Sequence, residues 1–297
     1  MNDTSRAPEA RVTVPALQAK KARGEKIVAL TAYDYPTAQI LDEAGVDLIL
    51  VGDSLGMVVL GYETTMPVTM DDMILHTKPV VRAARRAMVI GDMPYFSFHR
   101  SLEDSLSNAA RFVKEAGADG VKIEGAAPSR LKLVEALVEA EIPVMGHVGL
   151  TPQSVNRLGG FKVRGTEAEE ARRIVRDALS LVQAGVFALI LESIPLELAR
   201  DVTERSSVPT IGIGAGPHCD GQILVFHDLA GYTKGYLPKF VKKYADLQSV
   251  LSAAVGAYGQ DVRSGRFPDD AHSYHLKKDR PAGPPRRTKT AKGRARS

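Results

Sequence analysis

The feature that most constrains this chain is a regular alternation. Eight short runs, apolar at consecutive positions and rich in β-formers, are separated by longer stretches with apolar residues three and four apart. The runs are KIVALTA from Lys26, DLILVGD from Asp47, AMVIGDMP from Ala87, GVKIEG from Gly120, IPVMGHVG from Ile142, FALILES from Phe187, PTIGIGAG from Pro209 and the weaker GQILVFHD from Gly221. A strand apolar on successive residues is buried on both faces, which calls for parallel neighbours joined by crossover helices. The intervening stretches supply them. Ser101 is placed to cap SLEDSLSNAARFVKEAGA, with Asp104 at its third helical position, and Thr166 to cap TEAEEARRIVRDALSLVQAGV. Eight units predict a (β/α)8 TIM barrel; if the weak eighth run is not a strand, a doubly wound open sheet is the alternative. At 297 residues with 44% hydrophobic content, the chain is long enough to fill such a core as one domain.

In barrels of this kind the chemistry sits at the C-terminal ends of the strands and in the loops that follow. The second run ends in Asp53-Ser54 and the third in Asp92. The fourth carries Lys122 and Glu124, the fifth ends near His147, and the sixth ends in Glu192-Ser193. Charged groups in or just after buried strands are costly unless paired or metal-bound, so the set points to one functional mouth. Carboxylates without a neighbouring cysteine favour a hard cation, Mg2+ before Zn2+. The stretch GDSL, Gly52–Leu55, permits another reading, because it matches the opening signature of a class of serine esterases whose Asp and His lie close together near the C-terminus; DDAH, Asp269–His272, could supply them. The lone glycine motif GIGAG, Gly212–Gly216, lacks dinucleotide spacing and is expected only to turn the chain after a strand. PKFVKKYADL, from Pro238, is expected to form one face of the last helix.

Charge and composition exclude other classes. Lys277–Ser297 holds nine Lys/Arg and one Asp, a charge of +8, so residues 1–276 carry 4 − 8 = −4 and the body is mildly acidic rather than built for nucleic acid. A tail almost without apolar residues cannot offset its ordering entropy and is expected to be disordered, with a nonspecific polyanion contact as its alternative use. No apolar segment reaches bilayer length, the N-terminus lacks the apolar stretch of a signal peptide, and the single cysteine, Cys219, forms no internal disulfide; a soluble, cytoplasmic protein is expected. The expected organisation is a flexible arm (1–12), a catalytic barrel (13–265) and an extension (266–297), basic and disordered from 277.

Several stretches together carry a family resemblance: LTAYDYPTA, VGDSLGMVVLGYETTMPVTMDDMILHTKPV, GDMP, VKIEG, PVMGHVGLTPQSVNRLGGFKVRG, LILESIP, TIGIGAG with CDGQILVFHDLAG, and PKFVKKYADL. In this order they cover nearly the whole body, and the chain resembles the ketopantoate hydroxymethyltransferase family. The resemblance implies a barrel of the phosphoenolpyruvate/pyruvate superfamily type and a homodecamer. It implies Asp53, Asp92 and Glu124 as Mg2+ ligands, and Asp53, Ser54, Asp92 and Lys122 as contacts to a 2-oxo acid. Glu192 would be the proton acceptor and His147 a supporting neighbour of the reacting carbon. The implied reaction moves a hydroxymethyl group from 5,10-methylenetetrahydrofolate to 3-methyl-2-oxobutanoate through a Mg2+-stabilised enolate, giving 2-dehydropantoate, the first step toward pantothenate and coenzyme A. The base should gain a raised pKa from desolvation at the end of its apolar strand. The loops after the second and fifth runs are the expected covers for the folate. A carbon–carbon lyase or phosphonomutase on a 2-oxo acid is the runner-up; such enzymes carry an active-site-loop cysteine.

Overall fold

The computed structural model describes residues 10–154, 160, 162–233, 235 and 237–276. The basic tail, most of the N-terminal arm and part of the loop after the fifth run lie outside the described residues. The chain divides into two compact units, Met1–Gln248 and Ser249–Ser297.

All eight runs form strands: β1 (Ile27–Thr31), β2 (Leu48–Val51), β3 (Met88–Asp92), β4 (Gly120–Glu124), β5 (Val144–Gly149), β6 (Ala188–Glu192), β7 (Thr210–Ile213) and β8 (Gly221–Leu224). They pair in parallel in sequence order, and β8 returns to β1 with Ile27 opposite Gly221, so the sheet closes into a barrel. Two apolar clusters result. One fills the lumen with alternate residues such as Leu48, Leu50, Met88, Ile90, Ile190 and Ile211. The other lies between barrel and helices and includes Ile49, Val89, Val121, Leu189 and Phe112. Consecutive apolar residues are needed because successive positions on a strand serve these two cores in turn.

The helix Val14–Arg23 lies at the N-terminal end of the barrel. Its Leu17 joins the lumen cluster, while Lys20 and Lys21 pair with Asp47 and Asp220 where β2 and β8 begin. The opposite end is left open for the loops that follow the strands. Ser101 caps its helix as expected, accepting from the Asp104 N–H. The cap expected at Thr166 falls instead on Glu167, without a side-chain bond. Glu170 folds back there to accept from the Gly165 N–H and to pair with Arg164, which fixes the start of the helix by another route.

Two connections depart from expectation. β7 and β8 are joined by Gly214–Asp220 with no helix, so one of the eight units is truncated; Gly214 (φ 64°) and Gly216 (φ 76°) supply the left-handed turns expected of GIGAG. PKFVKKYADL is not helical, and the last helix begins only at Leu247. The backbone N–H groups of Tyr244, Leu247 and Gln248 bond the Leu229, Ala230 and Gly231 carbonyls that end the short helix Phe226–Leu229, and this tertiary pairing overrides local propensity.

The second unit holds most of the helix Leu247–Arg263 and a short turn, Asp270–His272, with ring contacts Tyr258–Phe267 and Phe267–His272. Among the described residues, no helix is long and apolar enough to cross a membrane.

Candidate active site

Strand register explains why the predicted polar residues meet. Asp92 ends β3 directly opposite Lys122 on β4, and Glu124 ends β4 opposite His147 on β5. Lys122 and Glu124 are two apart and share the inward face, as do Ile190 and Glu192 on β6. Glu192 pairs with Gly149, where a Cβ would sit 2.3 Å from the Glu192 carbonyl oxygen, so glycine there lets β5 approach β6 beside the carboxylate. Asp53 follows β2 in the loop, its own N–H bonding Asp92 Oδ2 at 3.2 Å. Asp53, Ser54, Asp92, Lys122, Glu124, His147 and Glu192 all line one cavity of about 120 Å³ at the barrel mouth.

Lys122 Nζ donates to both oxygens of Asp92, at 2.7 and 2.9 Å, and lies 3.6 Å from Glu124. His147 Nδ1 is 3.7 Å from Glu124, and its Nε2 is 3.4 Å from Glu192 Oε2. Neither contact is a hydrogen bond, so both imidazole nitrogens and Glu124 Oε1 are buried without a hydrogen-bond partner. Glu192 is less enclosed than its neighbours and keeps 17% of its side chain exposed.

Burial, reinforced by Asp92, raises Asp53 to about 7. Burial likewise lifts Glu124 well above the ordinary carboxylate range. For Lys122 burial works to lower the pKa, but Asp92, Glu124 and Asp53 outweigh it and hold the ammonium firmly charged. Burial and then the Lys122 charge push His147 down, leaving a neutral imidazole.

Four carboxylates against one ammonium leave 4 − 1 = 3 negative charges in excess when all are ionised. The raised Asp53 and Glu124 limit that excess in the absence of a counter-ion, and a bound cation would let both ionise. Among the described residues no three His, Cys, Asp or Glu side chains stand ready-spaced as a metal cage. The donor set still fits Mg2+, which keeps most of its water and needs only one or two protein carboxylates beside a chelating ligand.

Two participants were missing from the sequence reading. Tyr33, two residues past β1, shares a 2.8 Å hydrogen bond with Ser54, and its burial raises its pKa so that the phenol stays protonated. Gln153, in the loop after β5, donates from Nε2 to Asp53 Oδ2 at 3.0 Å and to the Met93 carbonyl at 2.9 Å, while its N–H bonds Glu124 at 3.2 Å. Their positions just past strand ends were the available signal; nothing in the residue types alone marked them. The Tyr33 contact also bears on the esterase reading, since Ser54 bonds a phenol rather than an imidazole. His272 pairs with Asp269 at 2.5 Å, both being exposed. Cys219 is buried two residues before β8, at the barrel end away from the mouth, and burial pushes its thiol pKa up.

Comparison with known proteins places the chain in a family. Residues 11–270 match the family described as ketopantoate hydroxymethyltransferase. A protein of Thermoanaerobacter sp. (strain X514), named 3-methyl-2-oxobutanoate hydroxymethyltransferase, is 57% identical over 270 residues, covering 91% of this chain and 98% of the relative. One of the same name from Syntrophomonas wolfei is 56% identical over 270 residues, with the same coverage. Among solved structures, 2,3-dimethylmalate lyase, described as a PEP mutase/isocitrate lyase superfamily member, aligns with TM-score 0.58 at 15% identity over 90% of each chain. Phosphonopyruvate hydrolase in complex with oxalate and Mg2+ aligns with TM-score 0.57 at 13% identity, covering 89% of this chain and 92% of that one. At such identities these structures share the barrel fold with this chain and no more. With its length matched almost throughout, the chain belongs to the ketopantoate hydroxymethyltransferase family.

Proposed function

We propose that the protein transfers a hydroxymethyl group from 5,10-methylenetetrahydrofolate to 3-methyl-2-oxobutanoate, giving 2-dehydropantoate, the first step toward pantothenate and coenzyme A. The observation that carries this reading is the under-neutralised carboxylate cluster around Lys122 and a neutral, unpartnered His147, in a chain of this family. Asp53 and Asp92, with Glu124 directly or through water, would hold Mg2+, which would supply Lewis acidity to the bound oxo acid and offset the charge that develops on it. Lys122 fixes Asp92 by its two hydrogen bonds and presents a permanent positive charge to the bound acid. Ser54, oriented by Tyr33, hydrogen-bonds the substrate.

Glu192 takes the proton from C3. It is accessible enough to meet the substrate and has the neutral His147 ring beside it to receive hydrogen bonds or relay the proton. The resulting carbanion equivalent forms a carbon–carbon bond to the one-carbon unit; both bonds from that carbon to folate nitrogens break, water supplies the hydroxyl, and the two nitrogens take up the C3 proton and one proton of the water. The catalytic body is taken as residues 13–265, the assembly as a homo-oligomer, decameric as the family resemblance suggests, and the compartment as the cytoplasm. A lyase or phosphonomutase reading has little to work with, because Cys219 is buried away from the mouth.

The test is formation of 2-dehydropantoate from 3-methyl-2-oxobutanoate and methylenetetrahydrofolate. Product should form with Mg2+, stop after chelation and return on adding Mg2+ back. No product with Mg2+ present, or an undiminished rate after chelation, would contradict the reading.

A further inference from the structure

The loop after β3 carries features that this chemistry leaves unused. Phe96 has φ 67°, a left-handed conformation that a bulky residue rarely adopts, and it stays 55% exposed. Its ring stacks on His99 at 5.9 Å and 13°, and Tyr95 also contacts His99, at 5.4 Å. Phe98 packs behind His99 at 4.4 Å. Of these, Tyr95, Phe98 and His99 form the aromatic wall of a cavity of about 450 Å³ that reaches Gln153 and Glu124. Burial, with Arg130 adding to it, lowers His99 to about 4, so the ring in this wall is neutral.

Arg130 stands at the junction. It lies on the helix Pro128–Glu139, with its guanidinium 5.1 Å from the Phe98 ring centre. It borders both the aromatic cavity and a second one of about 430 Å³ that also touches Glu124. Arg86, Arg111 and Arg164 each hold a carboxylate. Arg130, although half-buried, has no acidic partner among the described residues; its side chain hydrogen-bonds Ser129. A partly desolvated guanidinium without a counter-charge, beside a cluster of tilted aromatic rings, suits a ligand with planar rings and an anionic end. Glu124 lines these cavities and the barrel mouth alike, so a ligand seated here reaches the reacting carbon.

We infer that this cleft binds the folate co-substrate, its rings against Tyr95, Phe98 and His99 and its glutamyl carboxylates at Arg130. The inference rests on the proposed one-carbon donor. A cavity of this size is in the range that holds ligands of about drug size.

The competing account is that Arg130 only staples the Phe98 loop in place. Kinetics of Arg130→Met and Arg130→Lys with mono- and triglutamyl methylenetetrahydrofolate separate the two. Exchange of the C3 proton of 3-methyl-2-oxobutanoate with deuterated water needs no folate and reports whether the mouth is intact. Arg130→Met should raise KM for the triglutamyl donor at least about tenfold, the loss expected for one charge-assisted contact. It should erase any preference for the triglutamyl over the monoglutamyl form and leave proton exchange near the wild-type rate, while Arg130→Lys should recover most of the affinity. An unchanged folate KM in Arg130→Met overturns the inference. So does a loss shared equally by exchange and folate kinetics together with a lowered melting temperature, which would mark a staple. A wild type that exchanges the proton but yields no 2-dehydropantoate with either donor refutes the one-carbon reading itself, whatever Arg130 does.

Discussion

Asp47 and Asp53 bracket β2, one at each end of the barrel, and both are buried in different company. Asp47 accepts from Lys20 at 2.8 Å, from Arg86 at 3.1 Å and from the Val28 N–H at 3.0 Å. Nearby, Asp220 pairs with Lys21 at 2.7 Å and accepts from the Thr210 N–H. Charge at this end is matched and its oxygens are occupied. Asp53 instead shares its mouth with Asp92 and Glu124 around one ammonium, and orphan polar atoms remain. The difference teaches how to divide the ionic groups of this barrel. Matched clusters at strand starts hold it together, and on the proposed reading the mismatched one at strand ends is kept for a cation and a substrate at some expense in stability.

That division predicts opposite outcomes for two similar substitutions. Asp53→Asn should have the largest effect on turnover, a loss of at least about a thousandfold, or ~4 kcal/mol of barrier. Metal-free stability should not fall, because the amide relieves repulsion. A sharper version uses pH. Asp53 at about 7 when folded keeps a proton that the unfolded chain has already released, so its effect is to make metal-free stability decrease as pH rises from about 4 toward 7. Chemical denaturation should show that slope flattened in Asp53→Asn, and an unchanged slope would place the strain elsewhere.

Asp47→Ala should do the reverse, lowering unfolding free energy by about 2–3 kcal/mol, short of the full cost of breaking a buried pair because both cations are partly solvated. Activity per folded molecule should stay within about twofold, since no group at the mouth moves. A large fall in turnover at wild-type stability would erase the contrast. Ser54→Ala is a smaller break, costing one substrate hydrogen bond, about tenfold or less in rate. Ester hydrolysis by the wild type, abolished in that variant, would restore the esterase reading. Removal of Lys277–Ser297 should be smallest of all, leaving transfer and assembly unchanged by activity assay and sedimentation; a lost oligomer would show the tail to be structural.

Much of this was legible in the sequence because burial on both faces writes itself as consecutive apolar residues. Hence all eight strands, including weak GQIL, could be read, and with them the polar residues in or after the second to sixth runs. What could not be read depends on contacts between distant segments. Gln153 matters only because the loop after β5 folds across to Asp53 and Met93, and Tyr33 only because β1 lies beside β2. The segment from Pro238 has helical composition, yet its amides find carbonyls around Leu229 first. The Glu170 side chain likewise displaces the cap expected at Thr166. Local pattern carries the barrel, while partner choice in loops belongs to tertiary structure.

The central claim is that the mouth separates a base, Glu192, from the carboxylates that hold the metal. The direct measurement is Mg2+-dependent exchange of the C3 proton of 3-methyl-2-oxobutanoate with deuterated water, in the wild type and in Glu192→Gln. The amide keeps the shape and leaves Asp53, Asp92 and Glu124 untouched, so Mg2+ and the oxo acid should bind close to normally. Exchange should run in the wild type and fall at least about a hundredfold in the variant, the usual contribution of a positioned general base. Exchange at the wild-type rate in Glu192→Gln would contradict the assignment and pass the role to His147, the titratable group 3.4 Å away.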